Sequence, residues 1–199
     1  MKKARVGIFG GTFNPPHIGH IEAAKAFVNG AKLDKLIIMP AFIPPHKEYL
    51  STVSCKDRLE MCRIAFANVD KAVVSDLEIS RGGTSYTYLT LQELTSDDTE
   101  LYFLCGTDMI LTLGAWKNPD IIFKLARICY IRRENDEQIT AQISEKCKEY
   151  KALYNADVIP IDAEVIEISS SDIRNNEKEN LSYLLPEVAE YIRKAGLYE

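Results

Sequence analysis

His17 and His20 stand three positions apart at the end of Gly10-Gly11-Thr12-Phe13-Asn14-Pro15-Pro16-His17-Ile18-Gly19-His20. At a helix start, residues with that spacing project from one face. Two imidazoles aimed at one point can donate hydrogen bonds to a phosphate, or to the charge that builds on it in a transition state. Gly10 and Gly11 remove side chains so that backbone can approach a ligand, and the helix N-terminus that follows favours an anion. The stretch is neither GxGxxG nor a Walker GxxxxGK[ST], and without HExxH or further ligands the two histidines do not make a zinc site. A structural helix start would explain one such histidine pair. All three histidines of the chain, however, lie in two proline-flanked loops, and two of them share this turn. That concentration favours function.

The elements around the turn alternate between strand and helix patterns. Apolar runs at 6–9, 35–40, 72–79, 100–106, 127–131 and 157–161 read as strands. Helical spacing appears at 18–28, 58–66, 86–94 and 137–150, and two short helices close the chain near Ser171 and Pro186, with Gly196 as the C′ residue of the last. Such alternation predicts β-α-β units: a Rossmann-like, doubly wound parallel α/β sheet with a small helical C-terminal part. There is no internal repeat and no Ser-, Gly- or Pro-rich linker, so residues 1–199 are expected to form a single domain. The first strand ends at the glycines, which is where open α/β sheets bind ligands.

Composition limits the partners. Among 199 residues, 24 Lys and Arg against 29 Asp and Glu leave a charge of −5, and 46% of residues are hydrophobic. That suffices for a core, rules out disorder over most of the length, and does not favour nucleic acid. A local phosphate pocket needs only a few donors and stays compatible with it. The five cysteines form no CxxC pair, which reads as reduced thiols in a cytoplasmic protein. The basic start Met1-Lys2-Lys3-Ala4-Arg5 is followed by an apolar run broken at once by Gly7, Gly10 and Gly11, unlike a signal peptide. No run approaches ~18 apolar residues, so no membrane span is expected.

The segment from Gly7 to His20 resembles the (T/H)xxH/HxGH signature of the nucleotidylyltransferase superfamily, and most closely that of the bacterial nicotinate mononucleotide adenylyltransferases. Asn14 stands where many members have Asp; either residue can cap the turn. His17-Ile18-Gly19-His20 also spells the HIGH signature of class I aminoacyl-tRNA synthetases. Those enzymes direct a carboxylate at the α-phosphorus of ATP, so the shared residues imply shared chemistry. But 199 residues leave no room for an anticodon-binding domain, and no KMSKS occurs.

Further matches run down the chain. Pro44-Pro45-His46-Lys47 resembles the PPHK loop, which implies that Lys47 reaches a substrate phosphate. Asp57-Arg58-Leu59-Glu60-Met61 resembles DRLxM and reads as scaffold. Ser85-Tyr86-Thr87-Tyr88-Leu89-Thr90-Leu91 resembles SYTxxTL, offering hydroxyls and free N–H groups at a helix start, Thr87 among them; an N-cap at Ser85 explains it equally well. Gly106-Thr107-Asp108 stands where the family has GAD, placing Asp108 at a strand end to accept from ribose hydroxyls or a base, or to cap the next turn. Trp116, the single tryptophan, lies where the family sets an aromatic against the pyridine ring. Ile168-Ser169-Ser170-Ser171-Asp172-Ile173-Arg174 resembles ISSTxIR, which makes Ser170, Ser171 and Arg174 a grip on the triphosphate, although a capped surface helix is the simpler reading of the serines alone. The C-terminal Tyr191–Tyr198 resembles the family terminus and is assigned packing. Tyr130–Asn135 lacks the proline-glycine found in many members, which leaves adenine contacts there unassigned.

The resemblance implies ATP + nicotinate mononucleotide → deamido-NAD + pyrophosphate, a step of NAD biosynthesis. His17 and His20 are the expected catalytic residues. Gly10, Gly11, Thr12, Phe13, His20, Gly106, Asp108, Ser170, Ser171 and Arg174 would bind ATP, and Lys47, Thr87 and Trp116 the mononucleotide. Mg²⁺ is expected to come with the ATP, not in a protein cage. A homo-oligomer is left open. Transfer to phosphopantetheine or glycerol phosphate, or an inactive nucleotide sensor, are the alternative readings.

Overall fold

The computed structural model describes residues 2–45, 53–131, 136–164, 166, 168–175 and 181–198. Six parallel strands form one sheet: β1 (Ala4–Gly11), β2 (Lys35–Pro40), β3 (Ala72–Val74), β4 (Thr99–Gly106), β5 (Ala126–Ile131) and β6 (Val158–Pro160). Their order is β3-β2-β1-β4-β5-β6, with the winding reversing between β1 and β4. A crevice opens at such a reversal, beyond the carboxyl ends of the strands. Here those ends are Gly10-Gly11 and Gly106. The expected doubly wound parallel sheet is thus the observed one.

Side-chain alternation along the strands builds a core on each face. On one face Phe9, Leu36, Ile38, Tyr102 and Leu104 pack with α1 (Ile18–Gly30), α2 (Cys55–Ala65) and the C-terminal helices α8 (Ser170–Asn175) and α9 (Pro186–Ala195). On the other, Val6, Ile8, Ile37, Leu101 and Phe103 meet α4 (Thr87–Leu94), α5 (Thr107–Thr112), α6 (Pro119–Leu125) and α7 (Glu137–Tyr154). Gly7 lets α1 sit close. A Cβ there would lie 2.3 Å from Leu33 Cδ1 and 2.9 Å from Phe27 Cε1. Among the described residues no helix is long and apolar enough to cross a membrane.

Two expectations need correction. The strand expected over 72–79 stops at Val74, and Leu77–Arg81 forms the short helix α3. Ser75 Oγ accepts the Leu77 N–H, and the Ser80 N–H bonds Asp76 O. Local bonds of this kind take the backbone out of the ladder. The stretch between β4 and β5, left as loop, carries α5, a 3₁₀ turn at Leu113–Ala115 and α6. At the C-terminus, Gly196 takes the left-handed conformation expected of it, φ 59°.

Candidate active site

The turn after β1 is built around Phe13. Its ring is buried and meets Phe9, His20 and Phe66 edge-on. Holding it there puts Phe13 at φ 49° and requires glycine at position 11, where a Cβ would lie 2.9 Å from Phe13 Cζ. His17 is the N-cap of α1 in extended conformation, and its backbone N–H donates to His20 Nδ1 at 3.2 Å. Since Nδ1 accepts, the neutral His20 ring carries its proton on Nε2. The two rings are in close contact, centroids 3.7 Å apart and planes tilted by 41°. The glycine of HxGH makes room for this: a Cβ at Gly19 would lie 3.1 Å from His17 Nδ1.

Three distant segments fasten this turn. Arg58, fully buried on α2, donates to Thr12 O (2.8 Å), Ala41 O (2.6 Å) and Phe42 O (3.2 Å). One guanidinium therefore ties the end of β1 to the loop after β2. From the C-terminal side, Ser170 Oγ donates to Pro15 O at 2.8 Å and Arg174 Nη1 to Asn14 O at 2.6 Å. The Tyr198 hydroxyl donates to Asn14 Oδ1 at 2.5 Å, and burial pushes that phenol's pKa up.

The serines divide the work in a way not legible from their run. Ser169 is bonded reciprocally to Asp172: its Oγ accepts the Asp172 N–H, and its own N–H and Oγ–H donate to Asp172 Oδ2. Those bonds hold the Asp172 carboxyl below its usual range. All three serines line the cavity, Ser170 with its hydroxyl on Pro15 O and Ser171 with its Oγ accepting from Arg174 Nη2 at 3.0 Å.

The cavity has a volume of about 590 Å³, the size of a small-molecule site. Gly10, Gly11, Thr12, Phe13, His17 and His20 line one wall, and Ser170, Ser171 and Arg174 another. Gly106 and Asp108 come from the end of β4, and Thr87 and Trp116 complete the far side. Every expected site residue that the structure describes thus faces one cavity. Lys47, with His46, lies outside the described residues, as do 132–135 after β5. Trp116 is half-buried, edge-on to Phe103, and its Nε1–H points to Thr112 Oγ1 at 3.4 Å. A smaller recess shares Phe9, His17, His20 and Gly106 with this cavity and is lined further by Leu104, Ile131, Ile168 and Glu164. Among the described residues no group of three His, Cys, Asp or Glu side chains is gathered as a metal site.

Ser85 corrects one expectation. The N-cap of α4 is Tyr86, and Ser85 Oγ instead accepts the Phe42 N–H at 2.9 Å. Glu78 and Tyr198 line the cavity without having been expected there. Glu78 lay inside a stretch read as strand, and nothing local marked it. Tyr198 meets its partner across 184 positions.

A family model described as cytidylyltransferase-like matches residues 8–176, from β1 to the end of α8. A protein of Clostridium kluyveri named "Probable nicotinate-nucleotide adenylyltransferase" is 37% identical over all of both chains. One of Desulfatibacillum aliphaticivorans with the same name is 35% identical over 98% of this chain and 99% of its own. Among solved structures, the Plasmodium falciparum nicotinic acid mononucleotide adenylyltransferase complexed with NaAD superposes with a TM-score of 0.75. It covers 98% of this chain and 97% of its own at 21% identity, which speaks to the fold. The same enzyme complexed with APC gives 0.71. With its HxGH turn, its cavity at the β1–β4 crevice and full-length relatives above one third identity, the chain belongs to the nicotinate-nucleotide adenylyltransferase family, within the cytidylyltransferase-like group.

Proposed function

We propose that this protein transfers the adenylyl group of ATP to nicotinate mononucleotide, forming deamido-NAD and pyrophosphate in the cytoplasm. The observation that carries the reading is one cavity holding phosphate donors at one end and an aromatic platform with hydroxyls at the other. An oxygen of the mononucleotide phosphate attacks the α-phosphorus. The bond to the bridging oxygen of the β-phosphate breaks, and pyrophosphate leaves. No protein nucleophile is required, so the chain's work is positioning and charge stabilisation.

His20 supplies a Nε2–H donor for the α-phosphoryl oxygens, its tautomer set by the His17 N–H. His17 lies against it on the same wall of the cavity and shares the charge. Backbone at Gly10–Thr12 and the start of α1 favour the phosphates. Ser171 and Arg174 hold the leaving triphosphate end, with Lys47 assigned to the acceptor phosphate. Asp108, on the wall of the cavity, can accept from the ribose. Trp116 stacks on the pyridine ring, while Thr87 and the α4 N–H groups donate to its carboxylate. Glycines, hydroxyls and cationic or imidazole donors make a wall suited to phosphate oxygens. A divalent metal, Mg²⁺ in our reading, would accordingly be held by the phosphates and water, and its chemistry is to neutralise triphosphate charge. The net charge of −5 supports small-molecule partners over nucleic acid.

The test is pyrophosphate release with ATP and a panel of acceptors: nicotinate mononucleotide, its amide, phosphopantetheine and glycerol phosphate. A carboxylate held by two charge-assisted bonds, against an amide that leaves them mismatched, predicts a preference of ~100–1000-fold in kcat/KM for the acid. Equal values for acid and amide would remove the pocket assignment. Release with only a non-pyridine acceptor would replace the proposed reaction.

A further inference from the structure

We propose that Glu78 is a positioning residue for the acceptor end of the cavity, joining the start of α4 to the loop after β2. The inference rests on the proposed adenylyl transfer and deepens it. Glu78 is 6% exposed, sits on α3 and borders the cavity beside Ser85, Thr87 and Thr90. Two lines of contact converge on its carboxyl. In the first, the Phe42 N–H donates to Ser85 Oγ at 2.9 Å, and the Ser85 hydroxyl stands near enough to the Glu78 carboxyl to favour its charge. In the second, Arg81 Nη2 donates to Thr90 Oγ1 at 3.1 Å, and the Thr90 hydroxyl donates to Glu78 Oε1 at 2.5 Å.

The chemistry at this carboxyl is specific. Each hydroxyl oxygen already receives a donor, so each hydroxyl proton must find an acceptor, and a carboxyl offers two oxygens. An amide offers one, and its NH₂ would leave one of the two hydroxyl protons without a partner. Ser85 also donates its N–H to Ile43 O at 2.8 Å, and Ile43 and Thr84 form an isolated parallel bridge. The bonds of Ser85 to Phe42 and Ile43 therefore set the distance between the loop at 41–45 and Thr87, two residues beyond Ser85, and Glu78 stands beside that junction on the cavity wall. Arg81 bonds Glu93 at 2.9 Å and lies 4.0 Å from Glu78, fixing the far side of α4 as well. Burial raises the pKa of the Glu78 carboxyl, against the pull of its hydroxyl neighbours and Arg81.

Steady-state kinetics with both substrates varied, on wild type, Glu78→Gln, Glu78→Ala, Glu78→Asp and Ser85→Ala, tests the assignment. In Glu78→Gln and Ser85→Ala, KM for nicotinate mononucleotide should rise about tenfold, the scale of one misplaced binding contact, with KM for ATP and kcat within about twofold. Glu78→Ala should be worse, and Glu78→Asp, which keeps both oxygens, should recover part of the loss. A merely structural glutamate would move both KM values together or neither. Either of those outcomes in the glutamine variant, with its melting temperature recorded, overturns the proposal. If Glu78→Ala does not fold, Ser85→Ala and Glu78→Gln decide alone. Wild type that releases no pyrophosphate with this acceptor refutes the functional reading itself, and the positioning role falls with it.

Discussion

Replacing Arg58 with Met or Ala should be among the most damaging single changes available outside the histidines. The guanidinium is fully buried and donates to three carbonyls, Thr12 O at 2.8 Å, Ala41 O at 2.6 Å and Phe42 O at 3.2 Å. Hydrogen bonds from a charged group contribute about 1.5–3 kcal/mol each, and a buried carbonyl left unmet costs about 1–3 kcal/mol. Two of the three bonds are only partly buried, so water can replace some of the loss. We therefore expect about 3–5 kcal/mol of destabilisation for Arg58→Met, which keeps most of the volume, and more for Arg58→Ala, which also opens a cavity. For a chain of this length that lowers Tm by roughly 6–20 °C. Urea unfolding followed by far-UV circular dichroism gives the stability, and calorimetry the Tm. The same bonds tie the end of β1 to the loop after β2, so kcat/KM should fall even where the variant remains folded. A Met variant within about 1 kcal/mol of wild type, with unchanged turnover, would refute the view that one buried guanidinium assembles these loops.

His20→Ala should lower kcat by at least ~100-fold without changing the fold, the scale of losing a transition-state donor; near-wild-type kcat by pyrophosphate release would make the histidine structural. Arg174→Ala should chiefly raise KM for ATP, and because Arg174 also bonds Asn14 O it should lower Tm modestly; unchanged values of both would place it outside the site. Burial raises the Glu78 pKa above its ordinary 4.5, so the folded state holds a proton that the unfolded chain releases, and stability falls as pH rises through that window. Glu78→Gln cannot titrate, so its urea midpoint relative to wild type should shift upward from pH 4.5 toward neutrality. Parallel curves would contradict the sign.

Local chemistry was legible in the sequence, and long-range chemistry was not. Gly10, Gly11, His17 and His20 announce themselves because a phosphate turn needs glycines and donors within one short stretch, after a strand and before a helix. The parallel α/β class follows from strands alternating with helices, whereas the strand order is set by packing that the alternation does not determine. Residues 72–79 misled because Val73, Val74 and Leu77 keep an apolar rhythm, while Ser75 and Asp76 divert the backbone through short-range bonds. The short helices after β4 escaped notice because Gly114 and Pro119 break a stretch whose Ile110, Leu113, Ile122 and Phe123 are all buried, which blurs any helical period. Arg58 read as part of a helix start, and only tertiary packing reveals that it reaches Thr12, 46 positions away. Glu78 and Tyr198 acquire their places from partners that no sequence window contains.

The most direct measurement follows the α-phosphorus. Wild-type protein is incubated with ATP labelled at that atom, nicotinate mononucleotide and Mg²⁺, and the products are separated by chromatography. The account predicts that label passes into deamido-NAD as fast as unlabelled pyrophosphate appears, one for one, and that neither forms without the mononucleotide. Label in AMP or ADP, or pyrophosphate released without the acceptor, would contradict it.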